Sequence, residues 1–289
     1  MIENWLIDPF VEFAFMRRAL AGGLALSLGA APIGVFLMLR NMSLAGDAIA
    51  HAILPGAAIG YLLAGLSLPA MTGGGLIAGL AVALVAGGVA RATQLREDAS
   101  LSAVYLISLA VGVMIISMSG SSVDLMNVLF GNVLALDDGT LLLLASISTL
   151  TLLCLALGYR ALVLECVDPA FLRSVSRASP LAHFGFLVLL VLNLVAGFHA
   201  LGTLMAVGMM ILPAGCARLW HQDLVPMLAT AVATALLGTL SGLLLSYHAG
   251  LPSGPAIVLS LGALYLLSLL ASPVGGLARR LRPRWHYTS

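Results

Sequence analysis

The chain has 289 residues, of which 61% are hydrophobic and 9% are charged, and its mean hydropathy is +1.10. Because soluble globular domains carry about 25% charged residues, this composition excludes a soluble domain and predicts a membrane protein with several spans. The net charge is +1, which favours neither a nucleic acid nor an acidic protein as partner.

Nine apolar segments have about the 20 residues that a helix needs to cross a bilayer. They are 14–39, 46–66, 69–90, 101–118, 139–158, 181–198, 201–219, 224–247 and 256–273. A shorter apolar piece, 123–135, is typical of a re-entrant or interfacial segment. The long unbroken runs favour helices over a β-barrel. The sequence therefore predicts an all-α bundle of eight or nine transmembrane helices, one membrane domain over residues 1–289.

The basic residues are all arginines, and those that follow the first span fall on one side of the predicted membrane. They are Arg40, Arg91, Arg96, Arg160, Arg173, Arg177, Arg218, Arg279, Arg280, Arg282 and Arg284. The positive-inside rule makes this side cytoplasmic, which places the C-terminus inside and, with nine spans, the N-terminus outside. Arg17 and Arg18 are exceptions, and either an interfacial stretch or a later start of the first span accounts for them.

The longest predicted cytoplasmic connection covers residues 159–180. Within it, Asp168 precedes Pro169, a pair typical of a capped helix start. The segment through Arg177 is therefore predicted to form a short amphipathic helix outside the membrane. Two interpretations are open at this point, a solvated linker or a docking element for a cytoplasmic partner.

Asp47 and His51 lie one helical turn apart in an apolar segment, with Ser43 as the expected N-cap of their helix. Ionisable residues at membrane depth are costly and typically mark an ion, proton or substrate path, and both side chains are ligands of divalent transition metals. Pro55 cannot donate to the carbonyl of His51. We therefore expect a kink there, with a free carbonyl beside the imidazole.

Two ligands do not complete a metal site, because zinc takes about four. Two copies meeting across a two-fold axis would bring together two Asp47 and two His51 side chains. The alternative is a purely structural Asp–His pair within one helix, with the carboxylate near the positive end of the helix dipole.

Other polar residues and small-residue motifs carry weaker signals. Asp124, His199 and His248 fall on the outer side, where they either line an entry vestibule or are ordinary interfacial side chains. Pro213 follows Ile-Leu, as Pro55 does, and predicts a second helix kink. Pairs of glycines four residues apart at 56/60 and 238/242 favour close helix packing, within a bundle or between two copies.

The chain lacks the lysine that a P-loop needs, so it does not bind ATP through that motif, and it has no His-Glu-x-x-His zinc protease motif. Nothing in the sequence supports catalysis.

Several segments together resemble one family. The segment RNMSLAGDAIAHAILPG, from Arg40 to Gly56, resembles the signature of permease subunits of bacterial zinc/manganese ABC importers. Supporting matches run along most of the chain, at 129–134, 159–164, 167–171, 201–205, 211–218 and 251–258.

The resemblance implies a type II-like ABC importer permease in the bacterial cytoplasmic (inner) membrane. It would work as a homodimer without a permanent cofactor, with each copy docked on an ATP-binding subunit that hydrolyses ATP. An extracytoplasmic metal-binding protein would deliver Zn²⁺ or Mn²⁺. The family's intramembrane metal ligands match Asp47 and His51. Its coupling helix matches the segment with Asp168, Pro169, Phe171, Arg173 and Arg177.

Three positions depart from the family pattern. His199 and His248 replace its usual residue types, and Gly250 replaces an acidic residue often found before the Leu-Pro-Ser-Gly stretch. Because imidazole suits zinc while oxygen ligands suit manganese, the extra histidines favour zinc. The competing hypotheses are a proton-coupled secondary carrier with Asp47 and His51 as its relay, and a membrane scaffold, which needs no buried ionisable pair.

Overall fold

The computed structural model describes residues 8–65, 67–119 and 136–274. Its helices are α1 (Ala14–Leu39), α2 (Ala45–Ala64), α3 (Leu68–Ala92), α4 (Glu97–Ser119), α5 (Asp138–Val167), α6 (Pro169–Val175), α7 (Ala178–Leu201), α8 (Thr203–Trp220), α9 (Leu224–Ala249) and α10 (Ser253–Ala271). Within the described ranges, nine helices are long and apolar enough to cross a membrane, all but α6. The all-α membrane fold is confirmed, with nine spans rather than eight. The apolar piece predicted at 123–135 lies outside the described residues.

The bundle has two ends that differ in charge. Arg40 follows α1, Arg91 lies in the last turn of α3, and Arg218 lies in the last turn of α8. We call this the arginine end. At the opposite end, where α1 and α5 begin, Arg18 forms an exposed ion pair with Asp138 at 3.0 Å. The two exceptional arginines therefore lie in the first turns of α1, which begins at Ala14 as the hydropathy predicts.

The centre of the bundle is formed by α1 and α7, the spans with the largest buried share. Helix α1 contacts α5, α7, α8 and α9, whereas α7 contacts α2, α3, α5 and α8. Two groups of helices flank this centre, α2–α3–α4 on one side and α8–α9–α10 on the other. Helix α2 also contacts α8, so residues on these two helices lie where the flanking groups meet.

Close backbone contacts hold the flanking groups together. A Cβ atom on Gly56 would collide with the carbonyl of Gly74 in α3, and one on Gly60 would collide with the carbonyl of Ala70. On the other side of the bundle, Gly242 lies against the backbone of Ile257 in α10, and Gly238 lies against the side chain of Leu261. The predicted close packing at both glycine pairs therefore occurs inside one chain, where small residues let helix backbones approach.

Adjacent glycines in α3 offer a direct test of this packing. A Cβ atom on Gly74 would meet the backbone of Gly56, whereas one on Gly73 has no atom within 4 Å. We expect Gly74→Ala to lower the free energy of unfolding by about 2 kcal/mol, because the backbones must separate. Gly73→Ala should leave it unchanged or raise it by up to about 1 kcal/mol through helix propensity. Unfolding by SDS in mixed micelles measures the free energy of unfolding of both variants. If the two substitutions lower it equally, the close contact between Gly74 and Gly56 is contradicted.

Candidate functional site

Asp47 and His51 lie on the same face of α2, one turn apart. The Nε2 atom of His51 is 3.7 Å from Oδ1 of Asp47, and about half of each side chain is exposed. This separation is too long for a hydrogen bond. A divalent metal binds imidazole nitrogen and carboxylate oxygen at about 2.0–2.2 Å, so one ion fits between the two atoms. The ring of Tyr105 in α4 stacks beside the imidazole, with 6.4 Å between centroids.

The pair faces an open cavity of about 380 Å³ between α2, α8 and α10. The other lining residues are apolar or small, apart from the hydroxyl of Thr203; they are Ala50, Thr203, Leu204, Val207, Gly208, Ile211, Leu212 and Val258. Among the described residues, no third His, Cys, Asp or Glu joins the pair to make a three-ligand cluster. One chain therefore places two side chains of metal-ligand type, Asp47 and His51, on the wall of a mostly apolar cavity.

Both predicted kink prolines lie inside continuous helices, Pro55 in α2 and Pro213 in α8. Each removes one backbone hydrogen bond, and the acceptor that Pro55 leaves free is the carbonyl of His51. The ring of Pro55 packs against Gly112 in α4, where a Cβ atom would collide with it. The kinks themselves stay predictions.

The predicted cap of α2 is wrong. The helix begins at Ala45, its N-cap is Leu44, and no side chain caps it. A turn ahead of the helix explains the difference, because Asn41 adopts a left-handed conformation with φ of 56° and Met42 donates its N–H to Leu37. Asp47 still lies in the first turn of α2, where a carboxylate is stabilised by the helix dipole.

Three residues are predicted to line an outer vestibule, and the structure describes them to different extents. Asp124 lies outside the described residues, and for His199 only its backbone position in α7 is described. His248 lies in the last turn of α9, where its ring packs edge-on against Tyr247 with 5.1 Å between centroids. His248 does not line the cavity that holds Asp47 and His51. The vestibule stays a prediction.

The predicted amphipathic helix in the long connection is present as α6. Asp168 caps it by accepting a hydrogen bond from the Phe171 N–H at 2.9 Å, and Pro169 is its first residue. Leu172 is buried, whereas Phe171 and Val175 expose half or more of their surface. Helix α6 therefore has one side packed on the bundle and a second, exposed side that carries large apolar residues.

A basic cavity of about 510 Å³ lies next to α6. It is lined by Arg91, Arg173, Ser174, Val175, Ser176, Arg177 and Pro180. Arg173 and Arg177 are exposed, and together with Arg91 they make the wall of this cavity positive. An acidic side chain or another anionic group would be favoured there.

A buried cluster of charged residues joins the helix ends at the arginine end of the bundle. Arg40 donates to both carboxylate oxygens of Glu97 at 2.9 and 3.0 Å and to Nδ1 of His183 at 2.6 Å. Because arginine can only donate, Nδ1 of His183 accepts in its contact with Arg40. Arg91 donates to Glu165 at 3.1 Å. With two arginines and two glutamates, the cluster has no net charge.

The sequence did not reveal this cluster, because His183 looks like a residue at a span end and each charge lies far from its partner along the chain. Glu97, Glu165 and His183 come from α4, α5 and α7. Arginines and glutamates at the ends of predicted spans were the available signal, but their pairing depends on how the helices pack.

Comparisons with known proteins agree with this architecture. Residues 12–272 match the model of the ABC 3 transport family. The chain is 32% identical, over 92% of its length and 94% of the relative's, to the manganese import system permease protein ScaB of Streptococcus parasanguinis. It is 31% identical to the manganese transport system membrane protein MntC of Halalkalibacterium halodurans, over 96% of its length and 94% of the relative's.

A solved structure has the same fold. PsaBC from Streptococcus pneumoniae, in complex with a Fab, superposes with a TM-score of 0.81 at 28% identity, covering 98% of this chain and all of the matched chain. The family match, the relatives and the nine-span architecture agree along nearly the full length. The chain therefore belongs to the ABC 3 transport family and is a permease subunit of a metal ABC importer.

Proposed function

We propose that this permease carries a divalent transition metal across the membrane, driven by ATP that a separate subunit hydrolyses. The observation that carries the proposal is the pair of metal-binding side chains, Asp47 and His51, on the wall of the 380 Å³ cavity. Placing an ionisable pair within a membrane span costs free energy, and such pairs typically mark the path of an ion or a substrate.

The transport site is completed by a second copy of the chain. Each copy offers one carboxylate and one imidazole, and transition metals usually take four or more ligands. Two copies related by a two-fold axis would supply two of each, an arrangement common in symmetric dimers. About half of each side chain is exposed in the single chain, which leaves them accessible to a partner. Water or the free carbonyl of His51 supplies any further ligand.

Manganese is the metal that we propose first, with zinc second. Two relatives, 32% and 31% identical to this chain, are named for manganese import or transport. The zinc preference from sequence rested on His199 and His248, and His248 does not line the cavity. A site with carboxylate, carbonyl and water oxygens beside imidazole suits manganese.

The orientation and partners follow from charge and from the family resemblance. The arginine end, with the C-terminus beyond it, faces the cytoplasm of a bacterial cell by the positive-inside rule. There the exposed side of α6, with Phe171 and Val175, docks on the ATP-binding subunit, and the basic cavity lined by Arg173 and Arg177 takes acidic side chains of that subunit. An extracytoplasmic metal-binding protein docks at the opposite end.

Transport proceeds by alternating access. Metal enters from the binding protein, binds between Asp47 and His51 of the two copies, and leaves towards the cytoplasm when the ATP-binding subunits change the packing of the bundle. The site must bind metal only transiently, because a site as tight as a structural zinc centre would not release its ion.

The experiment is uptake of radiolabelled manganese and zinc into proteoliposomes that hold the permease, its ATP-binding subunit and its binding protein. We expect ATP-dependent accumulation of manganese, with zinc competing. Uptake that ignores ATP and follows a pH gradient would instead support a proton-coupled carrier. Preferential accumulation of zinc would overturn the order of metals and leave the mechanism intact.

A further inference from the structure

One guanidinium group, that of Arg91, bonds to the two helices that flank α6, namely the end of α5 and the start of α7. Nη1 of Arg91 donates to Oε1 of Glu165 at 3.1 Å, and Nη2 donates to the Ser179 hydroxyl at 3.1 Å. Glu165 lies three residues before the N-cap of α6, and Ser179 lies four residues after its last residue. Arg91 itself belongs to α3, so these two bonds tie the connection around α6 to a different membrane span.

The bonds that Arg91 makes with Glu165 and Ser179 are shielded from water. Glu165 is 2% exposed and the Arg91 side chain 16%, and Ser179 is fully buried. The Arg91 guanidinium also lies over the ring of Phe184 at 5.9 Å. Because a buried carboxylate must stay paired with its counter-charge, the end of α5 cannot move away from α3 without breaking a buried ion pair.

The cluster continues from Arg91 towards the metal-binding pair. Oε1 of Glu165 is 3.9 Å from Nδ1 of His183, which in turn accepts from Arg40. Arg40 is the C-cap of α1 and opens the turn that leads directly into α2, which carries Asp47. Glu165 next to α6, His183 and Arg40 therefore form a row of neighbouring polar groups that ends at the turn before α2, the helix with the candidate ligands.

We infer that Arg91 is a positioning residue for transport, which ties the helix ends that flank α6 to α3, so that a displacement of α6 is passed through these helix ends and the buried cluster to α2. This inference rests on the proposed docking of the ATP-binding subunit at α6. Arg91 touches neither metal nor ATP, and its role is to keep ATP hydrolysis and metal movement coupled.

Hydrogen exchange of the permease alone tests the attachment without any partner. In nanodiscs, Arg91→Ala should speed exchange of the amides of residues 170–176 by about tenfold, the effect of losing one charge-assisted hydrogen bond. Ser179→Ala should produce a smaller increase at the same amides. The matched control is Arg218→Ala, at an exposed arginine of the same end, and amides of α9 serve as the internal reference. Unchanged exchange at residues 170–176 would overturn the inference.

Transport by the complete complex tests the coupling. Because Arg91→Ala leaves Glu165 buried and unpaired, the double variant Arg91→Met with Glu165→Gln removes both charges and protects the fold. Because Arg91 also lines the proposed docking cavity, uptake and ATP hydrolysis are both measured per assembled complex, and we expect the metal transported per ATP hydrolysed to fall about fivefold or more. A merely structural role would instead lower transport and hydrolysis in proportion to the amount of complex assembled, and that outcome would overturn the inference.

Comparing the unmodified complex with the double variant distinguishes a failure of this inference from a failure of the proposed function. If the unmodified complex shows no ATP-driven uptake, the proposed function fails, and the coupling role of Arg91 fails with it. If the unmodified complex transports metal and the double variant transports as much metal per ATP, only the role of Arg91 is refuted.

Discussion

Replacing His51 by alanine is expected to reduce ATP-driven metal uptake by about 100-fold or more, because even residues that only support a metal ligand contribute 10–100-fold. In the two-fold arrangement that we propose, one substitution removes two of the four side-chain ligands, which strengthens the effect. Asp47→Asn should act in the same direction, because it removes the charge while keeping the shape. The measurement is the initial rate of metal uptake into proteoliposomes.

Matched controls distinguish loss of a ligand from loss of the fold. His221→Ala removes a histidine at the C-cap of α8, and Asp223→Asn changes the N-cap residue of α9, which makes no side-chain capping bond. Both should keep uptake within about twofold, since surface changes of this kind have small effects. If His51→Ala also prevents assembly with the ATP-binding subunit, the Asp47–His51 pair is structural and the proposed site is wrong.

Removal of Arg40 is expected to have the largest effect on stability. Arg40→Ala leaves Glu97 and the neighbouring His183 without their guanidinium partner, and breaking a buried pair costs about 3 kcal/mol or more. The side chain of Arg40 is 6% exposed and that of Glu97 is 28% exposed, so water replaces the lost guanidinium only in part. Reversible unfolding by SDS in mixed micelles measures the loss.

Two further variants test whether the loss of stability comes from an unpaired buried charge. Arg18→Ala breaks the exposed pair with Asp138 at the other end of α1 and should cost at most about 0.5 kcal/mol. Arg40→Met combined with Glu97→Gln leaves no charge unpaired and should recover most of the stability. If Arg18→Ala and Arg40→Ala lower the free energy of unfolding by the same amount, the buried cluster contributes no more to stability than a surface ion pair does.

Local patterns in the sequence were sufficient to predict the membrane spans and the short helix α6. Long apolar runs predict the nine helices because each must satisfy its own backbone hydrogen bonds in lipid. The Asp168–Pro169 pair predicts the start of α6 because capping depends on neighbouring residues. The error at Ser43 has the opposite cause, since the turn at Asn41 shifts the helix start beyond the residue that favours capping.

The pairing of distant residues was not predictable from one sequence. The i,i+4 spacing alone brings Asp47 and His51 together, whereas the walls of their cavity come from α8 and α10, which follow about 150 residues or more later in the chain. The same holds for His183, whose partners Arg40 and Glu97 lie in other elements. Where a function depends on helix packing, only the three-dimensional arrangement shows it.

The central claim is that the transported metal binds between Asp47 and His51. Pulsed electron paramagnetic resonance of Mn²⁺ added to the purified permease tests this binding directly, because a coordinated imidazole nitrogen modulates the echo of the bound ion. We predict a nitrogen modulation that disappears in His51→Ala and persists in His221→Ala, with one Mn²⁺ for every two chains. A modulation that survives in His51→Ala, or bound Mn²⁺ without nitrogen coupling in the unmodified protein, would contradict the account.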